Sequence, residues 1–523
     1  MLRITSLFPC ALLICGLLNV PSMAQDGTLD PSFGSGGRVI ITIGDFDDAA
    51  YGIAVQPDGR IVLAGHTYLN AQYRMFVARL LSNGALDSTF GVRGISAVPL
   101  GDGDAKGRGL VLLPYGDIIV AGVTSREGNE IFSVARFRGT DGVLDSTFGD
   151  DGIVQVPMGN AWSAASSVAA HGADGIVAAG YASVGADNSM AVVRLLTDGT
   201  IDSTFGVDGR SLVQFSPGRD NANAIAVDPD GNIIACGTST PNGSGSSDVA
   251  LFRLTPGGLL DGSFGTDGRH RHASVGNFNE WGWGLTLQSD GKPVVVGRVS
   301  STFHDILVNR YTTIGGLDAS FGGSGVVTTD IGEGTDYGEA GSVAIQTDKK
   351  IVVTGFRSQG IQTDVVLARY LEHGVVDSTF GNDGIVTTDF QGGDDGARAI
   401  AIQQDHAILV AGQSHDGTQN RVAVARYRIP SLASASSVAA SLRDDILIAP
   451  HPFHGGTTVV FSRDVHNPTV AMMDVLGNSV DFTATVHESR IDLRCPNLSV
   501  GPYAIRVTES NGRTTIIPVT IGR

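Results

Sequence analysis

Ser88 lies in the hexapeptide LDSTFG (Leu86–Gly91), where an acid, two hydroxyls and an aromatic ring stand side by side. A serine could act as a nucleophile if a base and an orienting acid completed a triad around it. Ser414, His415 and Asp416 supply the three residue types. They are consecutive, however, and a triad is a spatial arrangement that three loop neighbours rarely reach. His270 and His272 alternate in the stretch RHRH, so on a strand both project from one side. Such a pair could chelate zinc or copper, with His304 as a third ligand. Polar residues on an exposed strand explain the same stretch without metal. Motifs for a redox or zinc CxxC, an HExxH zinc helix, a phosphate loop ending in GK[ST] and a GxSxG elbow are all absent.

The hexapeptide is repeated, and that changes its meaning. Related sextets begin at residues 29, 86, 144, 201, 260, 317 and 376, at intervals of 57–59 residues. A nucleophile is needed once. Moreover, the Ser88 slot becomes Pro31, Gly262 and Ala319 in other copies. What persists is an Asp and a Phe: Asp30 with Phe33, Asp87 with Phe90, Asp145 with Phe148, Asp202 with Phe205. The series continues as Asp261 with Phe264, Asp318 with Phe321 and Asp377 with Phe380. The Phe is expected to plug the space between adjacent units, and the Asp to cap the turn or pair with a preceding arginine.

Two further series run inside each repeat. One is a hairpin such as QPDGRIVLAG from Gln56, departing most in unit three (ADGIVAAG from Ala173). The other ends in an arginine at 79, 136, 194, 253, 310, 369 and 426. Each unit reads as four short Val/Ile-rich strands, in the first Arg38–Ile43, Gly52–Gln56, Arg60–Gly65 and Met75–Leu80. Several are apolar throughout, as in sheets covered on both faces. Seven such sheets set radially make a seven-bladed β-propeller, so the fold class is all-β. Each arginine up to Arg369 precedes the next Asp by eight or nine residues. Arg426 lacks that downstream partner and Asp30 lacks an upstream one, so a closed ring must bring them together.

These three motifs in fixed order resemble the delta-60 repeat family of bacterial surface and secreted proteins, over about Gly27–Tyr427. That resemblance implies a repeat scaffold and almost no biochemical activity. The tail resembles the C-terminal sorting domain of type IX secretion, through PHPF, MDVLGNSV and IDL…LSVGPYAIRV. His451 departs from the usual Asn, and the lysine-rich ending is missing. The resemblance implies type IX secretion machinery as a partner, with tail removal and release or surface attachment.

The division is therefore a signal peptide over 1–24, a propeller over 25–430, a linker over 431–445 and a small β-sandwich over 446–523. Arg3, a short apolar run and the SMA site ending at Ala24 carry the signal reading, and no later segment spans a bilayer. A secreted or outer-surface location follows. Only Cys236 and Cys495 remain after cleavage, in different domains, which argues against a disulfide framework. A net charge of −18, from 35 basic and 53 acidic residues, argues against nucleic acid as partner.

Loop parity locates a binding face. In a four-stranded antiparallel blade the PDG turns and LDSTFG connections share one regular face. The other face carries irregular loops with Asp45, Asp47 and Asp48, Asp102 and Asp104, Asp220, Glu280, Asp336, Glu339, Asp394 and Asp395. These read as a solvated acidic rim, or as oxygen ligands for calcium, although none completes a calcium-loop motif. No cofactor is required. Trp281 and Trp283 read as packing residues or as a sugar-stacking platform. The favoured function is a non-enzymatic binding or adhesion scaffold for an extracellular glycan or protein. The other reading is a secreted polysaccharide hydrolase or lyase, which for a hydrolase needs two carboxyls at a defined separation near the central channel. Whether inward carboxylates converge on a pocket decides between them.

Overall fold

In the first repeat, β-branched runs on either side of the Pro57-Asp58-Gly59 turn pair as antiparallel strands. Gly59 takes a positive φ of 84°, and Asp58 Oδ1 accepts the Arg60 amide at 3.0 Å. The computed structural model describes residues 25–430 apart from 102, 127, 160–161, 173–174, 243–245, 273–277, 301–303, 332–337 and 361. It also describes most strand residues between 446 and 521. The signal segment, the linker, Asp102, Asp336, His451 and Cys495 lie outside the described residues.

Seven four-stranded antiparallel sheets succeed one another. Blade 1 comprises Asp48–Val55, Ile61–Leu69, Gln72–Leu80 and Ile95–Val98. Blades 2 to 6 repeat this arrangement, with inner strands Ala105–Leu112, Ser163–His171, Gly218–Val227, Asn279–Leu287 and Gly338–Ile345. Blade 7 is built from Asp395–Ile402, Ile408–His415 and Asn420–Arg428, with Arg38–Ile41 as its outer strand. The sequence boundaries are thus shifted by one strand: each repeat's first strand completes the preceding blade. A four-residue strand carries no mark of its partner, and the partner here is supplied by ring closure. The first strand of repeat five, Arg269–His272, is consequently the outer edge of blade 4. Polar residues are tolerated there because an edge strand has only one neighbour.

Closure is made by the first described residues. Thr28 and Leu29 pair with Arg428 and Tyr427, and Arg426 Nη1 lies 3.0 Å from Asp30 Oδ2. The same Arg–Asp pair recurs at all seven junctions, at 2.6–3.0 Å. Asp87 Oδ1 also accepts both the amide and the hydroxyl of Thr89, at 3.0 and 2.6 Å, which fixes the turn. Arg79 reaches on to the Gly139 carbonyl of blade 2 at 2.6 Å. All seven motif phenylalanines are fully buried. Phe90 packs among Val62, Met75 and Val77 of blade 1 and Ile118, Val120 and Phe137 of blade 2. Its ring lies 4.5 Å beneath the Arg79 guanidinium. Gly142, at φ +73°, lies over the same ring, and a Cβ there would come within 2.5 Å of it.

Beyond residue 445 the chain forms two antiparallel sheets. Ile446–Ala449, Gly456–Phe461, Arg490–Arg494 and Thr483–Val486 make one, and Thr469–Met473, Gly501–Thr508 and Thr514–Ile521 the other. Met472, Ile491, Leu493, Ile505 and Val507 are buried, as the core of a small β-sandwich requires.

Candidate binding site in the central channel

The inner strands converge so closely that Gly, Ala or Ser stands on each side of one position in every one of them. A Cβ on Gly52 would meet Leu110 Cβ of the next blade at 2.5 Å, and one on Gly109 would meet Ser167 Cα at 2.8 Å. Each inner strand also slips register by one residue against its neighbour, at equivalent places: 50/52, 107/109, 165/167, 222/224, 282/284, 340/342 and 397/399. A β-bulge leaves its extra residue unpaired and re-aims the side chain. The seven extra residues are Tyr51, Arg108, Ser166, Asn223, Trp283, Gly341 and Arg398. All seven line one cavity of about 410 Å³, which every inner strand helps to enclose. This is the propeller's central channel.

The ring is chemically uneven. Arg398, Tyr51 and Arg108 are contributed by consecutive blades 7, 1 and 2, and Trp283 by blade 5. Among the described residues that line the channel there is no carboxylate. Arg398 is held by Glu339, at 3.2 Å, and Arg298 reaches the other oxygen of that carboxylate at 3.2 Å. From Tyr51 a run of rings leads outward through His66, Tyr73 and Tyr68 to Phe46, with centroid separations of 5.0–6.4 Å. Phe46 is 59% exposed at its outer end. Lys106 sits over the Tyr73 ring at 3.6 Å.

Reading the sequence for chemical motifs missed this ring. Its signal was nonetheless present: one position in the repeat varies from Gly to Trp while its flanks stay Ala, Gly or Ser.

The residues singled out on the irregular face take other positions. Asp48, Asp220 and Asp395 are buried at the first turn of inner strands and accept loop amides, from Ile43, Phe215 and Phe390 respectively. Asp45 is exposed and accepts the Asn70 amide, while Asp104 and Asp394 accept the Tyr73 and Thr363 amides of the preceding blade. Asp47 bonds the Tyr73 hydroxyl and the Asn420 side chain, and its carboxyl is held far below the ordinary range, chiefly by His66. Trp281 stacks against Arg298 at 4.1 Å and meets His304 edge-on at 6.3 Å, whereas Trp283 faces the channel. Cys236 is a buried free thiol, pushed well above its usual pKa by burial. Ser88 is exposed on the regular face.

His270 and His272 diverge in their partners. His270 packs edge-on to Tyr311 at 5.2 Å, while His272 Nε2 lies 3.7 Å from Glu280 Oε1. Among the described residues, no group of three close metal-ligating side chains includes either histidine. Glu280 is buried, with Oε2 lacking a partner. Burial, then the charge of Asp248, pushes its carboxyl up to about 8. The folded protein therefore binds a proton that the unfolded chain releases near the ordinary Glu value of about 4.3. The corresponding stability is fully present below about pH 4, declines as pH rises and is lost above about pH 8. Glu280→Gln should melt close to wild type near pH 4 and a few degrees higher in alkaline buffer. Parallel melts with no divergence toward high pH would refute this.

Residues 56–90, 172–205, 229–264 and 346–380 match the family described as a domain of unknown function (DUF5122) beta-propeller. No curated protein matches the chain. Among solved structures, it is similar to virginiamycin B lyase from Staphylococcus aureus, determined with quinupristin. That match has 14% identity and a TM-score of 0.43, covering 74% of this chain and 98% of the lyase. A protein of unknown function from Dyadobacter fermentans matches at 14% identity and TM-score 0.41, over 76% of this chain and 100% of that one. PorZ, a surface component of the type IX secretion system of Porphyromonas gingivalis, matches at 12% identity and TM-score 0.34, over 89% and 68%.

Proposed function

We propose that this protein is a secreted or cell-surface binding scaffold without enzymatic activity. It takes an extracellular glycan at the mouth of the central channel, on the irregular face. The observation that carries this reading is the bulge ring. Seven equivalent positions are held rigidly by the sheets, yet they carry aromatic, cationic, amide and hydroxyl side chains and one glycine. Tyr51 and Trp283 offer faces for sugar rings, and Arg108, Ser166 and Asn223 offer polar groups beside them. The two carboxylates of a glycoside hydrolase are missing from the described lining, which favours binding over hydrolysis. The delta-60-like repeats and the sorting-domain-like tail fit export through type IX machinery, with the propeller delivered outside the cell.

A glycan and protein binding screen, run beside hydrolysis and elimination assays, tests this. Tyr51→Ala and Trp283→Ala, each checked to be folded, should weaken glycan binding about tenfold, the loss of one stacking contact of roughly 1.4 kcal/mol. Binding that ignores both variants would move the ligand off the channel. Turnover of any glycan would make the protein an enzyme.

A further inference from the structure

On the irregular face, neighbouring blades meet through one repeated geometry that carries different charges. The first residue of an inner strand is set against the third strand of the preceding blade. At the junction of blades 7 and 1 these positions hold Asp48 and Arg421, with Arg421 Nη1 3.7 Å from Asp48 Oδ2. Asp48 is fully buried, and Thr67 Oγ1 donates to its other oxygen at 2.5 Å. Its negative charge is answered by a guanidinium supplied by the chain.

At the junction of blades 6 and 7 the equivalent acid is Asp395, and the position of Arg421 is taken by Asp364. Each of those two stands five residues before its repeat arginine, Arg426 or Arg369. Asp389, one residue beyond the outer strand Ile385–Thr388, adds a third carboxylate. One oxygen from each of the three lies within 4.8 Å of the other two. Asp395 is only 1% exposed, and its Oδ1 makes no well-aligned hydrogen bond. Ser414, directly opposite in the sheet register and fully buried, sets its hydroxyl beside that carboxylate without a well-aligned hydrogen bond. Two basic residues adjoin the cluster. Arg357 is the cross-strand neighbour of Asp364, and Arg38 donates to the Asp389 carbonyl at 2.6 Å. Arg357 offsets one of three negative charges, leaving about two. Burial first, and then the charges of Asp389 and Asp364, push the Asp395 carboxyl up to about 6, against the Ser414 hydroxyl and the Phe390 amide, which favour its charged form.

We propose that Asp364, Asp389 and Asp395 bind a divalent cation, with the Ser414 hydroxyl as a neutral oxygen beside them. An all-oxygen donor set selects a hard ion, and outside the cell that ion is calcium. It does at the sixth junction what Arg421 does at the seventh.

The full chain, stripped with chelator, is melted with and without added calcium, and calcium binding is followed by titration calorimetry. Calcium should raise the melting temperature and bind one site with a Kd on the order of 10⁻⁴–10⁻³ M, as in extracellular calcium modules. Asp389→Asn, at an exposed position, should fold and lose both responses. Asp364→Arg copies the seventh junction. It should melt higher than wild type in chelator and be indifferent to calcium. If that variant does not fold, Asp364→Asn should relieve the repulsion and lose the calcium response. No calcium effect on the wild-type chain, or an effect that survives Asp389→Asn, overturns the proposal.

Discussion

Phe90→Ala should lower stability by about 3–5 kcal/mol, the cost of emptying a fully buried aromatic site. The ring is fully buried and wedged between blades 1 and 2, so the cavity falls on a junction. Two features limit its collapse. Arg79 stacks on the ring and is itself tied to Asp87 and to the Gly139 carbonyl, so it cannot swing inward without breaking those bonds. Gly142 has no side chain to move into the space. Ser88→Ala, two residues away and exposed, should change stability by no more than about 0.5 kcal/mol. Equilibrium denaturation of both variants measures the contrast. A loss at Phe90 comparable to that at Ser88 would show that the repeated ring does not fasten the blades.

That contrast marks what the sequence made legible. A motif that recurs seven times with an invariant Asp and Phe is architecture, and the arginine eight or nine residues upstream names the partner. The same spacing left Arg426 and Asp30 unmatched, and the ring brings them to 3.0 Å. Loop parity put the PDG turns and the LDSTFG connections on one face, as the strand order requires. Three things were not legible. Blade boundaries depend on which strand a four-residue segment pairs with, and nothing within Arg38–Ile41 distinguishes the first repeat's own sheet from the last one. The acids at 48, 220, 280 and 395 read as rim residues because acids in loops usually are solvated. These four instead occupy the first turn of an inner strand and are buried, and Asp48, Asp220 and Asp395 receive loop amides there. The channel ring depends on a bulge, and a bulge breaks the period-two alternation by which strand faces are read.

Arg369→Ala should be at least as damaging as Phe90→Ala, for an electrostatic reason. Arg369 is fully buried, and its guanidinium holds two carboxylates, Asp377 at 2.8 Å and Asp26 at 2.9 Å. It also donates to Thr379 and stacks on Phe380 at 4.6 Å. Asp26 belongs to the segment that closes the ring, and its carbonyl accepts the Gly381 amide at 2.9 Å. Removing one partner of a buried ion pair leaves uncompensated charge and costs about 3–5 kcal/mol. Arg369→Lys keeps the charge but loses the fork that spans both acids, so it should recover only part of the loss. The pH dependence separates this account from simple loss of packing. In the wild type, burial works to raise the Asp377 carboxyl pKa but is outweighed by Thr379 and Arg369, and the net shift is downward. Without Arg369 the carboxyl keeps only Thr379 and Lys350, the latter 3.2 Å away, so its folded pKa moves up from its wild-type position. A carboxyl so raised is least destabilising once protonated. The gap between Arg369→Ala and wild type should therefore narrow as pH falls from 7 toward about 4, where the wild type begins to lose its own paired carboxylates. Denaturation series at both ends of that interval decide it. A gap that stays constant would assign the loss to packing against Phe380 rather than to the carboxylates that lose their guanidinium.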